Sequence, residues 1–217
     1  MTHQTAHTAL GEEWLVDYAA GNLSPAYAAV AECFLDLNED RRKTVDELER
    51  VGGALLDTAD AGAGLSVAAA DLLAREGDSP EVQAQKSQCP DYIPGSLREK
   101  FDLDRNGIKW TFLGPGLQKA LLWKGSNDDR LWLLKAEPGV AIPNHTHRGA
   151  ELTLVLKGEI RDGEDIFGVG DVEEADHDLT HTIRVSSEES CICLAATKGR
   201  LIFPAPLIKM MQIFLDI

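Results

Sequence analysis

The sequence predicts an α+β protein in which a small helical bundle precedes a jelly-roll β-barrel. Two patterns predict it: apolar residues recur at helical spacing in the first third, and short apolar or alternating runs follow from about residue 105. The chain has 217 residues, of which 44% are apolar and 26% charged, so a globular protein of one large or two small domains is expected. We expect a helical domain over 1–76, a linker over 77–98 rich in turn formers, and a β domain with a C-terminal extension over 99–217.

Helix boundaries can be assigned from caps and apolar stripes. A first helix around Trp14 and Tyr18 should end at Gly21 in a left-handed cap, and a second should begin with Ser24 as the N-cap and Pro25 in the first turn. A third is expected over 44–56 and a short fourth through Leu72. The expected buried stripes are Tyr27, Val30, Ala31 and Phe34 in the second helix and Val45, Leu48, Val51 and Leu55 in the third.

Strands are predicted wherever a short apolar or alternating run lies between turn formers such as 114–116, 125–128 and 168–171. Many short strands at this spacing are typical of a sandwich or a jelly-roll barrel. The predicted strands are 109–112, 119–123, 131–135, 151–156, 159–161, 181–185, 190–195 and 201–202.

Charge and hydropathy exclude several classes of protein. The formal net charge is −15, with −10 from residues 1–98 and −5 from 99–217, which disfavours direct nucleic-acid binding. An acidic surface would attract a basic protein partner, or it can simply maintain solubility. The chain shows neither an apolar run long enough to span a membrane nor the features of a secretory signal, so a cytoplasmic location is expected.

A metal site is predicted from His145, His147 and Glu151, followed thirty residues later by His181. On an extended strand His145 and His147 point to the same side, and Gly149 lets the chain turn so that Glu151 can return to it. Three imidazoles and a carboxylate suit one divalent ion, which can be Zn²⁺, Fe²⁺, Mn²⁺, Ni²⁺ or Co²⁺.

The spacing His-x-His-x3-Glu-x6-Gly, followed by Gly-Asp-x9-His, resembles the two motifs of the cupin superfamily. The resemblance implies a double-stranded β-helix and a metal bound by His145, His147, Glu151 and His181. The usual turn Pro and Gly of the second motif are replaced by Asp176 and Asp178. His177 lies in that turn and is expected to be peripheral to the metal.

Nearly the whole chain resembles the ChrR family of zinc-containing anti-sigma factors, through Tyr18-Ala19-Ala20-Gly21-x-Leu23 and His145-Thr146-His147-Arg148-Gly149. The resemblance implies that the helical half binds an extracytoplasmic-function (ECF) sigma factor. It also implies that the cupin senses oxidative stress, as singlet oxygen or peroxide, through its metal.

The helical half departs from that family at its zinc ligands. The family pattern His-x3-Cys-x2-Cys reads Cys33, Leu37 and Asp40 here, so we expect the N-terminal zinc to be lost, whether or not His7 is an upstream ligand. Cys33 is then either a buried small residue or a redox thiol.

Other side chains leave alternatives open. Cys191 and Cys193 share one face of a strand and are either core residues or a redox pair beside the metal. Arg148 is either a surface residue or an anion ligand near the metal. Three of the four tryptophans are expected in the barrel core or a pocket wall: Trp110, Trp123 and Trp132.

Two other functions compete with the regulatory one. A cupin with three His and one Glu can be a metal-dependent enzyme, either a dioxygenase or a lyase/isomerase, because open coordination positions can bind O₂ or substrate. It can also be a binding module without chemistry that associates as a homodimer through strand edges.

Overall fold

The computed structural model describes residues 9–58 and 89–203, which form five helices and ten strands. The helices are α1 (Glu12–Ala19), α2 (Pro25–Leu37), α3 (Glu39–Thr58), α4 (Gly95–Lys100) and α5 (Leu103–Asn106). The strands are β1 (Thr111–Gly114), β2 (Leu117–Lys124), β3 (Asp129–Ala136), β4 (Ala141–His145), β5 (Glu151–Lys157), β6 (Ile160–Asp162), β7 (Asp165–Phe167), β8 (Val172–Ala175), β9 (His181–Val185) and β10 (Cys191–Lys198). Helix α3, the longest one described, is not apolar enough to cross a membrane, and the other described helices are too short.

The predicted helix ends are largely correct. Gly21 follows α1 with a φ of +69°, a conformation that favours glycine, and Pro25 begins α2 after Ser24 at the N-cap position. The Ser24 hydroxyl does not donate or accept a capping hydrogen bond, so the expected side-chain cap is wrong. The fourth helix expected through Leu72 lies outside the described residues.

Helix α3 begins five residues earlier than expected, and only part of its apolar stripe is buried. Val45 is buried, whereas Val51 is 59% and Leu55 is 65% exposed. The first half of this stripe packs on the core and the second half extends past it, so the expectation of one continuous buried face is wrong.

The C-terminal half folds into two antiparallel sheets, as the strand pattern predicted. The six-stranded sheet has the order β1-β2-β3-β10-β5-β8 and the four-stranded sheet the order β4-β9-β6-β7. Strands β7 and β8 were not predicted, because Asp165–Phe167 and Val172–Ala175 are short and contain acidic residues, one of three in β7 and two of four in β8.

The two faces of the six-stranded sheet pack differently. Leu131 and Leu133 of β3 join the core formed with α1, α2 and α4, whereas the alternate residues Trp132 and Leu134 face the inside of the barrel. The helical half therefore shares one hydrophobic core with the outer face of the barrel. Of the three tryptophans in the C-terminal half, only Trp132 lies in the barrel interior; Trp110 and Trp123 pack against the shared core.

The end of the predicted linker is structured. Ile93 is fully buried, and α4 packs on α2 with Leu97 in the shared core. An ion pair of 2.8 Å between Lys100 and Glu32 adds to this contact. The domain limits themselves, 1–76, 77–98 and 99–217, stay predictions.

Candidate metal centre

Three histidines converge inside the mouth of the barrel. His145 ends β4 and is paired in register with His181, the first residue of β9, and His147 follows two residues after β4. The imidazole centroids lie 4.5 Å apart for His145 and His181, 5.0 Å for His145 and His147, and 5.1 Å for His147 and His181. All three side chains are buried, and each contributes one ring nitrogen to a group whose members lie within 4.8 Å of one another.

The Nδ1 atom of each histidine already has a partner. Nδ1 of His145 lies 2.9 Å from the carbonyl oxygen of Pro143, and Nδ1 of His147 lies 3.3 Å from that of Asp176. Nδ1 of His181 lies 3.0 Å from carboxylate oxygens of Asp162 and Glu173. Such contacts fix the tautomer and orientation of metal-binding imidazoles and leave Nε2 as the ligand atom.

Glu151 adds a carboxylate beside the histidines. It begins β5, is buried, and places Oε2 3.1 Å from Nε2 of His147, while its Oε1 accepts a hydrogen bond of 2.9 Å from the Thr153 hydroxyl. Apart from the 3.1 Å approach of Oε2 of Glu151 to Nε2 of His147, these two atoms and Nε2 of His181 are buried without a hydrogen-bond partner among the described residues. Because buried polar atoms rarely stay unpaired, these orphaned donors and acceptors fit a divalent ion bound among them.

Burial and neighbouring charges set the protonation of the site. Burial lowers the pKa of His145 to about 4, which keeps this imidazole neutral and able to bind a metal. Burial alone would raise the pKa of Glu151, but the hydrogen bond and charge of His147 outweigh it and lower that pKa. Burial acts to lower the pKa of His147, but the contact with Glu151 outweighs burial and raises that pKa.

Two carboxylates that were not predicted hold His181. Asp162 ends β6 and Glu173 lies in β8, both 3.0 Å from Nδ1 of His181. Burial acts to lower the pKa of His181, but the hydrogen bonds and charges of Glu173 and Asp162 raise it to about 9. Burial raises the pKa of Glu173 to about 7. Acidic residues in short polar strands resemble surface residues in the sequence, and only the β6-β9 and β5-β8 pairings reveal this role.

The side chains in the turn before His181 lie at the surface, and so does that of Arg148. His177 is exposed beside Asp178, as expected for a peripheral residue, while Asp176 contributes its backbone carbonyl to His147. Arg148 is exposed next to Gly199, a surface position.

Cys191 and Cys193 face the barrel interior. Both are buried, their Sγ atoms lie 3.6 Å apart, and they line the same apolar cavity as His145 and Glu151. The cavity volume is about 30 Å³, enough for about two water molecules. The thiols are unbonded, and the contact with Cys191 together with burial raises the pKa of Cys193 well above its usual value.

The helical half shows no metal cluster within the described part of the chain. Cys33 is buried in α2 with its Sγ 3.5 Å from the Ser96 hydroxyl of α4, and burial raises its pKa to about 12. Asp40 is exposed and hydrogen-bonded to Lys43. Helix α4 therefore covers Cys33, and the residues at the family's ligand positions do not converge. His7 lies outside the described residues.

Known proteins are similar to this chain over nearly its whole length. Residues 99–199 match the ChrR cupin-like domain family. The anti-sigma-E factor ChrR of Cereibacter sphaeroides is 36% identical over 203 residues, which cover 94% of this chain and 95% of that protein. The crystal structure of Rhodobacter sphaeroides SigE in complex with the anti-sigma ChrR matches with a TM-score of 0.69 and 35% identity, covering 87% of this chain and 97% of that one. The cupin fold and the resemblance seen in the motifs are thereby confirmed, and the chain belongs to the family of the anti-sigma factor ChrR.

Proposed function

We propose that this protein is an anti-sigma factor that binds an ECF sigma factor through its helical half. The observation that carries the proposal is the similarity to ChrR over nearly the full length of both chains, including a solved structure of ChrR in complex with SigE. The acidic helical half, with a net charge of −10 over residues 1–98, suits a basic protein partner.

Co-expression with the ECF sigma factors encoded in the same genome tests this proposal. We expect one of them to copurify with the chain as a 1:1 complex and to lose its ability to activate transcription in the complex. Failure of every such sigma factor to form a stable complex would overturn the anti-sigma role.

We further propose that His145, His147, Glu151 and His181 bind one divalent ion, zinc above all, as the sensory centre of the protein. The support is the compact group of three buried histidines at the mouth of the barrel, with the buried carboxylate of Glu151 3.1 Å from His147. Metal analysis of protein purified without added metal tests it, and we expect about one zinc per chain. Iron, manganese or nickel in that position would overturn the assignment of zinc.

An oxidant is the proposed signal. The metal centre is its first proposed target, and the cysteine pair beside the metal centre is the second. Oxidation by a hydroperoxide would join the Sγ atoms of Cys191 and Cys193 in a disulfide, with the peroxide reduced to an alcohol and water. The atoms must approach from 3.6 Å to about 2.05 Å. The raised pKa of Cys193 opposes thiolate formation, so this reaction should be slow in the resting protein.

The replacement Cys191→Ser together with Cys193→Ser tests the thiols. We expect the double variant to bind the sigma factor normally and to release it less in peroxide. Equal release from variant and wild type would remove the cysteines from the proposal.

A further inference from the structure

The hydroxyl of Tyr27 connects helix α2 to the metal centre. It donates a hydrogen bond of 2.7 Å to the carbonyl oxygen of Ala150, and the Tyr27 side chain is buried. This carbonyl belongs to the peptide plane that leads into Glu151. Because the peptide unit is rigid, a rotation of the Glu151 backbone moves the acceptor of this hydrogen bond directly.

A second connection runs through strand β8. The carboxylate of Glu174 accepts a hydrogen bond of 2.7 Å from the backbone N–H of Gly11 and one of 3.1 Å from the indole N–H of Trp14. The neighbouring residue Glu173 contacts His181. Successive side chains of a strand point to opposite faces, so β8 holds His181 on one side and the start of α1 on the other.

The two connections meet in one aromatic pair. The rings of Trp14 and Tyr27 stack with centroids 5.5 Å apart and an interplanar angle of 18°. One cleft is lined by Trp14, Ala150, Glu151 and Glu174, which shows that both bonds lie on the same side of the barrel mouth. Another bond between the halves, from Asn38 to the Gly170 carbonyl, does not adjoin a metal-site residue.

We propose that Tyr27 and Glu174 couple the state of the metal centre to the packing of the helical half against the barrel. An ion bound by Glu151 and His181 fixes the Ala150 carbonyl and, through Glu173, strand β8. Loss of the ion frees both, and the hydrogen bonds to Tyr27, Trp14 and Gly11 weaken together. The inference rests on the proposed metal quartet and names the regulation of the proposed sensor.

Hydrogen–deuterium exchange on the full chain without any partner tests the coupling. Zinc-loaded and chelator-stripped protein are compared for wild type, Tyr27→Phe and Glu174→Gln. In wild type we expect metal removal to accelerate exchange in α1 and the first turns of α2 about tenfold, as for the loss of one buried hydrogen bond.

Each variant should bind zinc and show fast exchange in α1 even when loaded, so that stripping adds little. Tyr18→Phe is the matched control, since it removes a half-buried hydroxyl from α1 that is not hydrogen-bonded to other described residues. It should retain the metal dependence of wild type.

The coupling would be overturned by helical exchange that is the same in loaded and stripped wild type, or by full metal dependence in Tyr27→Phe and Glu174→Gln. The same samples are then mixed with the sigma factor. Metal-dependent exchange in a chain that binds no sigma factor supports the coupling and overturns the anti-sigma role. Failure of the coupling can therefore be distinguished from failure of the anti-sigma role.

Discussion

Oε1 of Glu173 lies 3.0 Å from Nδ1 of His181, and both side chains are buried. The contact orients the imidazole so that Nε2 faces the proposed position of the metal ion. The negative charge of Glu173 makes the ring more basic. The motif that revealed His181 does not include this carboxylate, although the histidine depends on it.

Replacing Glu173 should weaken metal binding. Glu173→Gln keeps the size of the side chain but removes the charge, so we expect the affinity for zinc to fall by about 10- to 100-fold. Competition with a chromogenic chelator measures this. Glu164→Gln, at an exposed position between β6 and β7, is the matched control and should bind like wild type. An affinity of Glu173→Gln within twofold of the control would contradict the role of Glu173.

Replacing Glu151 tests whether the site has four ligands or three. The three histidines form a compact group by themselves, and Glu151 approaches it through His147. We expect Glu151→Gln to reduce zinc affinity at least tenfold, because a neutral amide is a poorer ligand than a carboxylate. His177→Ala, at the exposed turn, should leave affinity unchanged. If Glu151→Gln also retains full affinity, the ion is held by the histidines alone.

The metal-free protein should lose stability as pH rises from 7 to 9. The folded pKa of His181 is raised from 6.5 to about 9, so its contribution is present below pH 6.5 and is lost as pH passes through 9. From the shift we expect a decrease of about 2 kcal/mol in the free energy of unfolding.

Urea denaturation of chelated protein at several pH values measures this decrease. Zinc-loaded protein is the comparison, because a bound ion keeps His181 deprotonated and should remove most of the dependence. A flat profile for the metal-free protein would show that Glu173 and Asp162 do not hold a proton on His181.

The helical half should fold without a metal ion. Cys33 is buried under α4, and its raised pKa keeps the thiol protonated. We therefore expect Cys33→Ala to leave zinc content at about one ion per chain, and native Cys33 to resist alkylation at pH 8. Two zinc ions in wild type and one in Cys33→Ala would show that a second site survives.

Local pattern predicted most of the architecture correctly. Helices α1 and α2 have strong signals in their apolar spacing and in Gly21 and Pro25, and the apolar strands β2, β3, β5 and β10 have strong signals in their runs. The prediction failed where a local signal is weak or misleading. β8 is half acidic, and Val51 and Leu55 look like core residues but extend past the packed part of α3.

The sequence by itself predicted the ligand quartet and identified the family, because both rest on residue identity and spacing within short segments. The tertiary structure alone decided which residues support that quartet. Asp162 and Glu173 reach His181 through strand pairing, and Tyr27 reaches Ala150 across 123 residues of chain. The carboxylate contacts depend on strand pairing and the Tyr27 contact on the packing of the helical half on the outer face of the barrel, and neither has a local signal in the sequence.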